Sequence, residues 1–294
     1  MRSDPGDDQP DLTTSEPVRW VDSSHGVRLP VHTLRHGDVP ALLAHATGFH
    51  GRVWAPFAEH LDDLGAVAPD LRGHGRSEVP DGLTYDWDGF ADDVLAVVDA
   101  LGLERPVGIG HSKGGAALLR AEARQPGTFR AIWCFEPIVF PPAVATGRTA
   151  HHPLAEGALR RRPTFASYDE AIANYAAKPP MDAFDPAALE AYVRHGFAPT
   201  DDGQVTLRCR PEVEAEVYRM GTAHDTFDRL GEVRCPVVVA VGRQQPGTPA
   251  AVGALVADAL AAGVLDPFDH LGHFGPLEAP AETAADAVAL AHGT

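Results

Sequence analysis

The pattern G-x-S-x-G at positions 110–114 constrains the fold of this chain more than any other stretch. An apolar run from Val107 precedes it, and a run rich in Ala and Leu that favours a helix follows it to Arg120, so Ser112 lies where a strand becomes a helix. The flanking glycines permit a sharp turn that holds the serine hydroxyl above a parallel sheet. The first N–H groups of the helix favour negative charge at the same point. Ser112 is therefore a candidate nucleophile, with an ordinary helix N-cap as the alternative.

Composition and charge exclude several classes of protein. The chain has 294 residues, 44% of them hydrophobic, which is enough for one large or two ordinary globular domains. It lacks an apolar run of about 18 residues, and its N-terminus is acidic where a signal peptide is basic and then apolar, so we expect a soluble cytoplasmic protein. The formal net charge of −17 disfavours nucleic acid and anionic membranes as partners. Three cysteines without C-x-x-C spacing suggest core thiols, with neither disulfides nor a zinc site.

The order of apolar segments predicts an α/β fold. Residues 1–16 read as a disordered tail, and two β-type runs within 18–35 predict an antiparallel hairpin at one edge of a sheet. We predict further strands at 40–46, 66–71, 107–110, 131–135, 233–241 and 264–268, and helices at 53–64, 87–101 and 281–291, with Asp86 as the N-cap of the second. Strands that alternate with helices indicate a mostly parallel sheet with helices on both faces.

The stretch 138–228 departs from this alternation. It has helical segments near 168–177 and 186–195, prolines between them and no clear buried strand. We interpret it as an α-helical cap inserted between two late strands, so that 17–137 and 229–294 form one core domain.

Four motifs, in this order along the chain, resemble those of the α/β-hydrolase fold family. They are L-L-A-H-A-T-G-F at 42–49, P-D-L-R-G-H-G-R-S at 69–77, G-H-S-K-G-G at 110–115 and G-H-F-G-P-L-E-A-P at 272–280. The resemblance runs from about position 18 to the C-terminus, and in the cap it extends only to helical character. It implies a nucleophile at Ser112 and a general base at His273, a residue type whose pKa suits proton transfer near neutral pH. His270 is the nearest rival for the base.

The acid of the triad departs from the family's commonest pattern. Its usual place is the loop after the strand that ends at Gly242, yet no carboxylate occurs between Glu232 and Asp258. Members of the family with this gap place the acid after the strand that precedes the cap, where Glu136 stands. Adjacent parallel strands lie about 5 Å apart, so this carboxylate can reach the same histidine. Glu136 is the predicted acid, a carboxylate that merely caps the insertion is the alternative reading, and Asp266 and Asp269 are the fallback.

The resemblance also implies an oxyanion hole made of two backbone N–H groups, those of Thr47 and Lys113. The side chain of Lys113 has three interpretations: charge for the oxyanion site, a partner for an acidic substrate group, or a solvent-exposed position on the helix. The arginine run at 160–162 reads as a solvated face rather than a carboxylate clamp.

These residues predict a cofactor-free serine hydrolase that cleaves a carboxylic ester or lactone of a small, largely apolar molecule through an acyl-enzyme on Ser112. The alternatives are a C–C bond hydrolase, lyase or cyclase on the same fold, and a binding protein without turnover. A small molecule is the expected partner, and the sequence does not predict the oligomeric state. Candidates for the lining of a substrate pocket are Phe49, His50, Trp54, His111, Phe140, Tyr168, Tyr175 and Phe274.

Overall fold

The computed structural model of the chain describes residues 19–293, so the predicted tail at 1–16 lies outside the described residues. The strands in this part are β1 Arg19–Asp22, β2 Arg28–Arg35, β3 Val39–Ala44, β4 Leu64–Pro69, β5 Val107–His111, β6 Ala131–Phe135, β7 Thr164–Phe165, β8 Phe197–Pro199, β9 Val205–Leu207, β10 Val237–Val241 and β11 Gly263–Pro267. The α-helices are α1 Ala55–Ala58, α2 Trp87–Leu101, α3 Lys113–Arg124, α4 Pro153–Leu159, α5 Tyr168–Ala176, α6 Pro186–Gly196, α7 Pro211–Arg219, α8 Gly253–Ala259, α9 Gly275–Glu278 and α10 Pro280–Gly293.

Eight of these strands form one twisted central sheet in the order β1-β2-β4-β3-β5-β6-β10-β11. The predicted hairpin of β1 and β2 occupies one edge, and β2 pairs antiparallel with β4. The other pairs, from β4 through β11, are all parallel. The prediction of a mostly parallel sheet is confirmed, and the carboxyl ends of β5, β6 and β10 lie side by side.

Helices cover both faces of the sheet because the parallel strands are apolar on both sides. In β3, Leu42 and Ala44 belong to a core that also contains residues of α2, α3 and α8. Leu43, between them, belongs to a second core with residues of α1 and α10. Each fully buried leucine of this kind contributes about 1.5–3 kcal/mol through removal of its surface from water.

Two local predictions have different outcomes. The α2 helix has the predicted bounds, and Oδ1 of its N-cap Asp86 accepts a hydrogen bond of 2.7 Å from Gly89 N. The helix predicted at 53–64 is wrong in length, since only a 3₁₀ turn at Gly51–Trp54 and the four-residue α1 form there. Asp62 has a positive φ of 47°, which a continuing helix does not allow, and Leu64 already begins β4.

The insertion contains more than helices. Helices α4 to α7 surround a three-stranded antiparallel sheet in the order β7-β9-β8, which the sequence did not predict. These strands have only two or three residues, too few to show an alternating pattern. All three cysteines are buried free thiols, and within residues 19–293 no helix is long and apolar enough to cross a membrane.

Candidate active site

Ser112 occupies a strained turn between β5 and α3. Its backbone has φ 54° and ψ −114°, and its amide donates a hydrogen bond of 2.9 Å to the carbonyl of Phe135 at the end of β6. The glycines of the pattern are needed for space. A Cβ on Gly114 would lie 2.0 Å from the carbonyl oxygen of Ala44, which no real Cβ tolerates. The turn therefore presses α3 against β3 and leaves the serine at the carboxyl edge of the sheet.

Glu136 and His273 are hydrogen-bonded, with 2.6 Å between Oε2 of the carboxylate and Nδ1 of the imidazole. The other carboxylate oxygen accepts a hydrogen bond of 3.0 Å from the amide of Gly242. Glu136 is 2% exposed and has a positive φ of 45°, a conformation that turns the chain out of β6. With both oxygens bonded in a buried site, the carboxylate fixes the orientation of the imidazole.

His111 holds the loop that carries His273. Its Nε2 donates a hydrogen bond of 2.8 Å to the backbone carbonyl of His273, and the two rings are 5.0 Å apart. Burial, together with the neighbouring His273, lowers the pKa of His111 well below its usual value, so the ring is neutral at pH 7. His111 was predicted to contact the substrate. Its ring is buried, and its hydrogen bond holds the backbone of His273 in place.

The serine hydroxyl and the imidazole are not hydrogen-bonded to each other within the described residues. Such bonds are often long in the absence of substrate and shorten in the reacting complex. Ser112 and Phe135 are joined through the backbone, and Glu136 follows Phe135 directly, so the nucleophile and the bonded pair share the ends of β5 and β6. This arrangement suits acyl transfer, in which the imidazole removes the serine proton.

The rival base and the fallback acids lie elsewhere. His270 is exposed and its Nε2 lies 3.0 Å from Oε2 of Glu282 on α10. Asp269 is exposed, and Asp266 on β11 interacts with Asp286, a carboxyl whose pKa burial raises to about 6. The contacts of these three residues give no alternative to the Glu136–His273 pair.

The predicted oxyanion loop is ordered by His45. Its Nδ1 donates to the carbonyl of Ala46 at 2.8 Å, and its Nε2 accepts a hydrogen bond of 3.1 Å from Leu71 N. Thr47 follows as a buried residue, and no acceptor for its amide is found between residues 19 and 293. The amide of Lys113 is the first of α3 and has no intrahelical partner. Both N–H groups are thus able to bind an oxyanion.

The side chain of Lys113 is fully buried, so of the three interpretations of this residue the solvent-exposed one is wrong. Its Nζ lies 4.6 Å from the centroid of the Phe90 ring on α2 and has no hydrogen-bond partner in the described part of the chain. Burial lowers the pKa of this amine to about 7. The sequence pattern identified the helix but not that this side of its first turn faces α2.

Aromatic rings gather beside His273. Phe49 lies 5.7 Å from Phe274, centroid to centroid, and Phe274 lies 5.1 Å from the imidazole of His273. The cap adds Tyr192, 5.0 Å from Phe49, and Phe184, 5.3 Å from Phe274. Sequence reasoning missed these two cap residues. The available signal was the apolar spacing of α6, which puts Tyr192 on the same helical face as two other buried residues.

Other predicted pocket residues lie apart from this aromatic group. Trp54 is buried 5.0 Å from Phe57, centroid to centroid, in the core cluster that also contains Phe49 and Tyr192. His50 is buried behind Phe49, and its Nε2 donates to the carbonyl of Tyr192 at 3.1 Å. Phe140 is half-buried just beyond β6 and has no ring contact within residues 19–293. Trp54 has a described ring contact with Phe57 and none with Phe274 or His273, so its role in a pocket stays a prediction.

One arginine of the 160–162 run, Arg161, is partly buried with its side chain 19% exposed, which corrects the prediction of a solvated face at that position. Arg161 pairs with Glu214 of α7 and also donates to the hydroxyls of Tyr175 and Tyr192. Glu214 in turn touches the oxyanion loop, since a Cβ on Gly48 would lie 2.7 Å from its Oε1. Arg160 and Arg162 are exposed and form surface ion pairs. The cap therefore contacts the loop of Thr47 through a partly buried ion pair.

A model of the alpha/beta hydrolase family matches residues 41–287, which is more than half of the chain and includes every residue of the elbow, the pair and the oxyanion loop. The chain is an α/β hydrolase. The fold and the family that the four motifs indicated are thereby confirmed.

This hydrolase is similar to proteins with several hydrolytic activities. It is 27% identical over 287 residues to strigolactone esterase D14 of Arabidopsis thaliana, an alignment that covers 89% of this chain and 96% of the relative. It is 35% identical over 114 residues to lipase LipV of Mycobacterium tuberculosis, covering 38% of this chain and only 43% of the lipase. The crystal structure of E-2-(acetamidomethylene)succinate hydrolase superposes with a TM-score of 0.76 at 21% identity, covering 93% of this chain and 98% of the other. That likeness shows the shared fold.

Proposed function

We propose that this α/β hydrolase cleaves a carboxylic ester or a lactone of a small, largely apolar molecule through an acyl-enzyme on Ser112. The observation that carries the proposal is the 2.6 Å hydrogen bond between Glu136 and His273, at the strand ends beside a serine in an elbow conformation. The base is thereby oriented through Nδ1, which leaves its Nε2 for the serine proton.

The reaction has two steps in this proposal. Ser112 Oγ attacks the acyl carbon while His273 Nε2 takes its proton, and the amides of Thr47 and Lys113 bind the oxyanion of the tetrahedral intermediate. The intermediate collapses, the bond to the alcohol oxygen breaks, and the imidazolium returns the proton to that oxygen. In the second step a water attacks the acyl-enzyme with the same base, releasing the carboxylic acid. Glu136 stays ionised and stabilises the imidazolium throughout.

Two observations support an apolar ester or lactone as the substrate class. The ring of Phe274 lies next to His273, and those of Phe49, Phe184 and Tyr192 pack around it, so that together they offer an apolar wall to one portion of a substrate. The similarity to a protein named as an esterase extends over nearly the whole chain. We expect the cap to set the identity of the natural molecule, because Phe184 and Tyr192 of the cap belong to this group of rings.

A fluorophosphonate probe combined with a substrate panel tests the proposal. We expect wild-type protein to be labelled at Ser112 and to hydrolyse short-chain p-nitrophenyl esters or simple lactones, while Ser112→Ala shows neither reaction. His273→Ala abolishes turnover, and His270→Ala is the matched control, because its imidazole pairs with Glu282 on the surface. A full loss in the His270 variant would contradict the assignment of the base.

The same experiment separates the alternatives. If the wild-type protein cleaves a carbon–carbon bond of a diketone and hydrolyses no ester, it is a C–C bond hydrolase. Protein that binds lactones, measured by calorimetry, without labelling or turnover is a receptor. Either result overturns acyl transfer as the reaction of this chain.

A further inference from the structure

The oxyanion loop contains a tight turn. The amide of Phe49 donates a hydrogen bond of 3.3 Å to the carbonyl of Ala46, so that Thr47 and Gly48 form the centre of the turn. Gly48 has a positive φ of 83°, a conformation that glycine adopts without a steric penalty. The direction of the Thr47 amide, the proposed oxyanion donor, therefore depends on how this turn is held.

The cap contacts the turn at Gly48. A Cβ on Gly48 would lie 2.7 Å from Oε1 of Glu214 and 3.5 Å from Nη1 of Arg161, so both charged groups stand directly against the loop. The Glu214 side chain is only 6% exposed, and its Oε2 accepts a hydrogen bond from Nη1 of Arg161. The carboxylate is thus held in place from the side opposite Gly48.

The same arginine also reaches the next residue of the turn. Nη2 of Arg161 donates a hydrogen bond to the hydroxyl of Tyr192 on α6. The Tyr192 ring lies 5.0 Å from that of Phe49, the residue whose amide closes the turn. Through Glu214 on one side and Tyr192 on the other, the guanidinium therefore links Gly48 and Phe49, two consecutive residues of the oxyanion loop.

Stability alone does not account for an ion pair at this place. Charges removed from water have a desolvation penalty, and apolar side chains of similar size often stabilise a fold as well or better. Arg161 follows α4 and Glu214 lies in α7, and these two helices already pack through Ala155, Ala158 and Ala215. A guanidinium–carboxylate pair adds fixed geometry, because its hydrogen bonds are directional.

We propose that Arg161 and Glu214 are positioning residues, which hold the turn of the oxyanion loop so that the Thr47 amide points at the oxyanion. This inference rests on the proposed acyl transfer at Ser112. A displacement of about 1 Å in a catalytic group can cost about 10²-fold in rate, so a donor on a loop needs support of this kind. Because the oxyanion forms only in the transition state and the intermediate, the pair acts on kcat and not on KM.

Glu214→Gln tests the inference, because the amide keeps the volume and loses the charge. We expect kcat for the best p-nitrophenyl ester and the rate of fluorophosphonate labelling to fall together by about 10–100-fold, with KM within about threefold of wild type. Glu216→Gln is the matched control, since Glu216 lies two residues further along α7 and forms surface ion pairs with Arg148 and Arg219. Both of its rates stay within about twofold of wild type.

A double variant guards against a loss of folding, because Glu214→Gln leaves the Arg161 charge without its counterion. Arg161→Met combined with Glu214→Met removes both charges, so we expect a Tm close to that of wild type. Its kcat nevertheless falls by about 10–100-fold. Arg148→Met combined with Glu216→Met is the matched double control, and its kcat is unchanged.

Three outcomes would overturn the inference while leaving acyl transfer intact. They are wild-type kcat in the folded double variant, an equal fall in kcat in the Arg148 and Glu216 control, and a loss of kcat/KM that lies entirely in KM. In the last case the pair would act on substrate binding. Wild-type protein that is neither labelled nor able to hydrolyse any ester overturns the proposed function, and this inference with it.

Discussion

The loops after β6 and β10 are neighbours at the same edge of the sheet, yet they contribute opposite parts to the site. The loop after β6 begins with Glu136, a buried carboxylate that bonds His273. The loop after β10 begins with Gly242, which contributes only its amide to that carboxylate, and residues 243–247 are exposed. The end of β10 therefore binds the carboxylate of Glu136 through the amide of Gly242 and supplies no carboxylate of its own.

The comparison of the two loops indicates that the proposed acid, Glu136, is defined by where its carboxylate lies in space and not by which strand precedes it. Gly242 has no side chain because a Cβ there would lie 2.5 Å from the carbonyl oxygen of Gly272, one residue before His273. The β10 end therefore packs closely against the loop of the base. A carboxylate reaches the imidazole from β6, since β6 and β10 are hydrogen-bonded in parallel.

Glu136→Gln is the strongest test of this comparison. The amide keeps the volume but cannot stabilise an imidazolium, so we expect kcat for the best ester to fall by about 10³–10⁴-fold. Glu122→Gln is the matched control, because Glu122 is a buried carboxylate that binds the amides of Gly127 and Phe129 far from the site. Retention of wild-type kcat by the Glu136 variant, measured under saturating substrate, would falsify the assignment of the acid.

Gly242→Ala tests the other loop. The added methyl group forces the backbone around Gly272 to move, which displaces His273 and lowers kcat by about 10–100-fold. Gly231→Ala serves as the control, since a Cβ on Gly231 meets no atom within 4 Å. Unchanged kcat in the Gly242 variant, with a normal circular dichroism spectrum, would show that the loop tolerates the shift.

A third variant asks whether the acid can be relocated. Gln245 lies in the exposed loop after β10. We expect the double variant Glu136→Gln with Gln245→Asp to have a kcat/KM less than about tenfold above that of Glu136→Gln, because a solvated carboxylate is poorly oriented. The double variant and Glu136→Gln are compared by kcat/KM on one ester. Recovery close to the wild-type value would mean that the two strand ends are interchangeable.

Lys113 lies just after the end of β5, and we expect Lys113→Met to leave the hydrogen bond between Glu136 and His273 unchanged. The folded-state pKa of Lys113 is about 7, below its unfolded value of about 10.4, so the unfolded chain binds more protons between these pH values. Wild-type stability therefore rises as the pH increases from about 7 to 10. Lys113→Met lacks this pH dependence, and we expect its free energy of unfolding at pH 7 to exceed that of the wild type by about 2–4 kcal/mol. Its kcat should stay within about threefold of wild type, because the proposed oxyanion contact is the backbone amide of residue 113.

Denaturant unfolding at several pH values, together with ester hydrolysis, checks this prediction. Lys178→Met is the control, because that lysine is exposed and, among residues 19–293, its amine is bonded only to Asn174. A large fall in kcat for the Lys113 variant would mean that the amine itself takes part in the reaction.

Sequence reasoning predicted the parts of the fold that depend on local pattern. Strand β6 and helix α2 have the predicted bounds, since an apolar run and an N-cap at Asp86 are visible in a few consecutive residues. The meeting of Glu136 with His273, 137 residues apart, was predicted from the resemblance to the α/β-hydrolase family and from the missing carboxylate after Gly242, and the structure brings their side chains together.

The remaining features depend on packing between distant segments. The position of Tyr192 against Phe49 follows from how α6 docks on the core, and the contact of His111 with the carbonyl of His273 spans 162 residues. The burial of Lys113 depends on which side of α3 faces Phe90. The helical spacing of α6 indicates that Tyr192 is buried but not which ring it meets, and neither of the other two contacts is encoded in a local period or a turn residue.

Two residues of the proposed triad, Ser112 and Glu136, hold positive φ angles that favour glycine. Backbone strain of this kind costs on the order of 1–3 kcal/mol at each position. Glycine at position 112 would relieve this strain at the loss of the proposed nucleophile, whereas glycine at position 136 would also remove the acceptor of the Gly242 amide and of the His273 imidazole. Backbone strain at Ser112 is therefore the part of the folding free energy that is given up for reactivity alone.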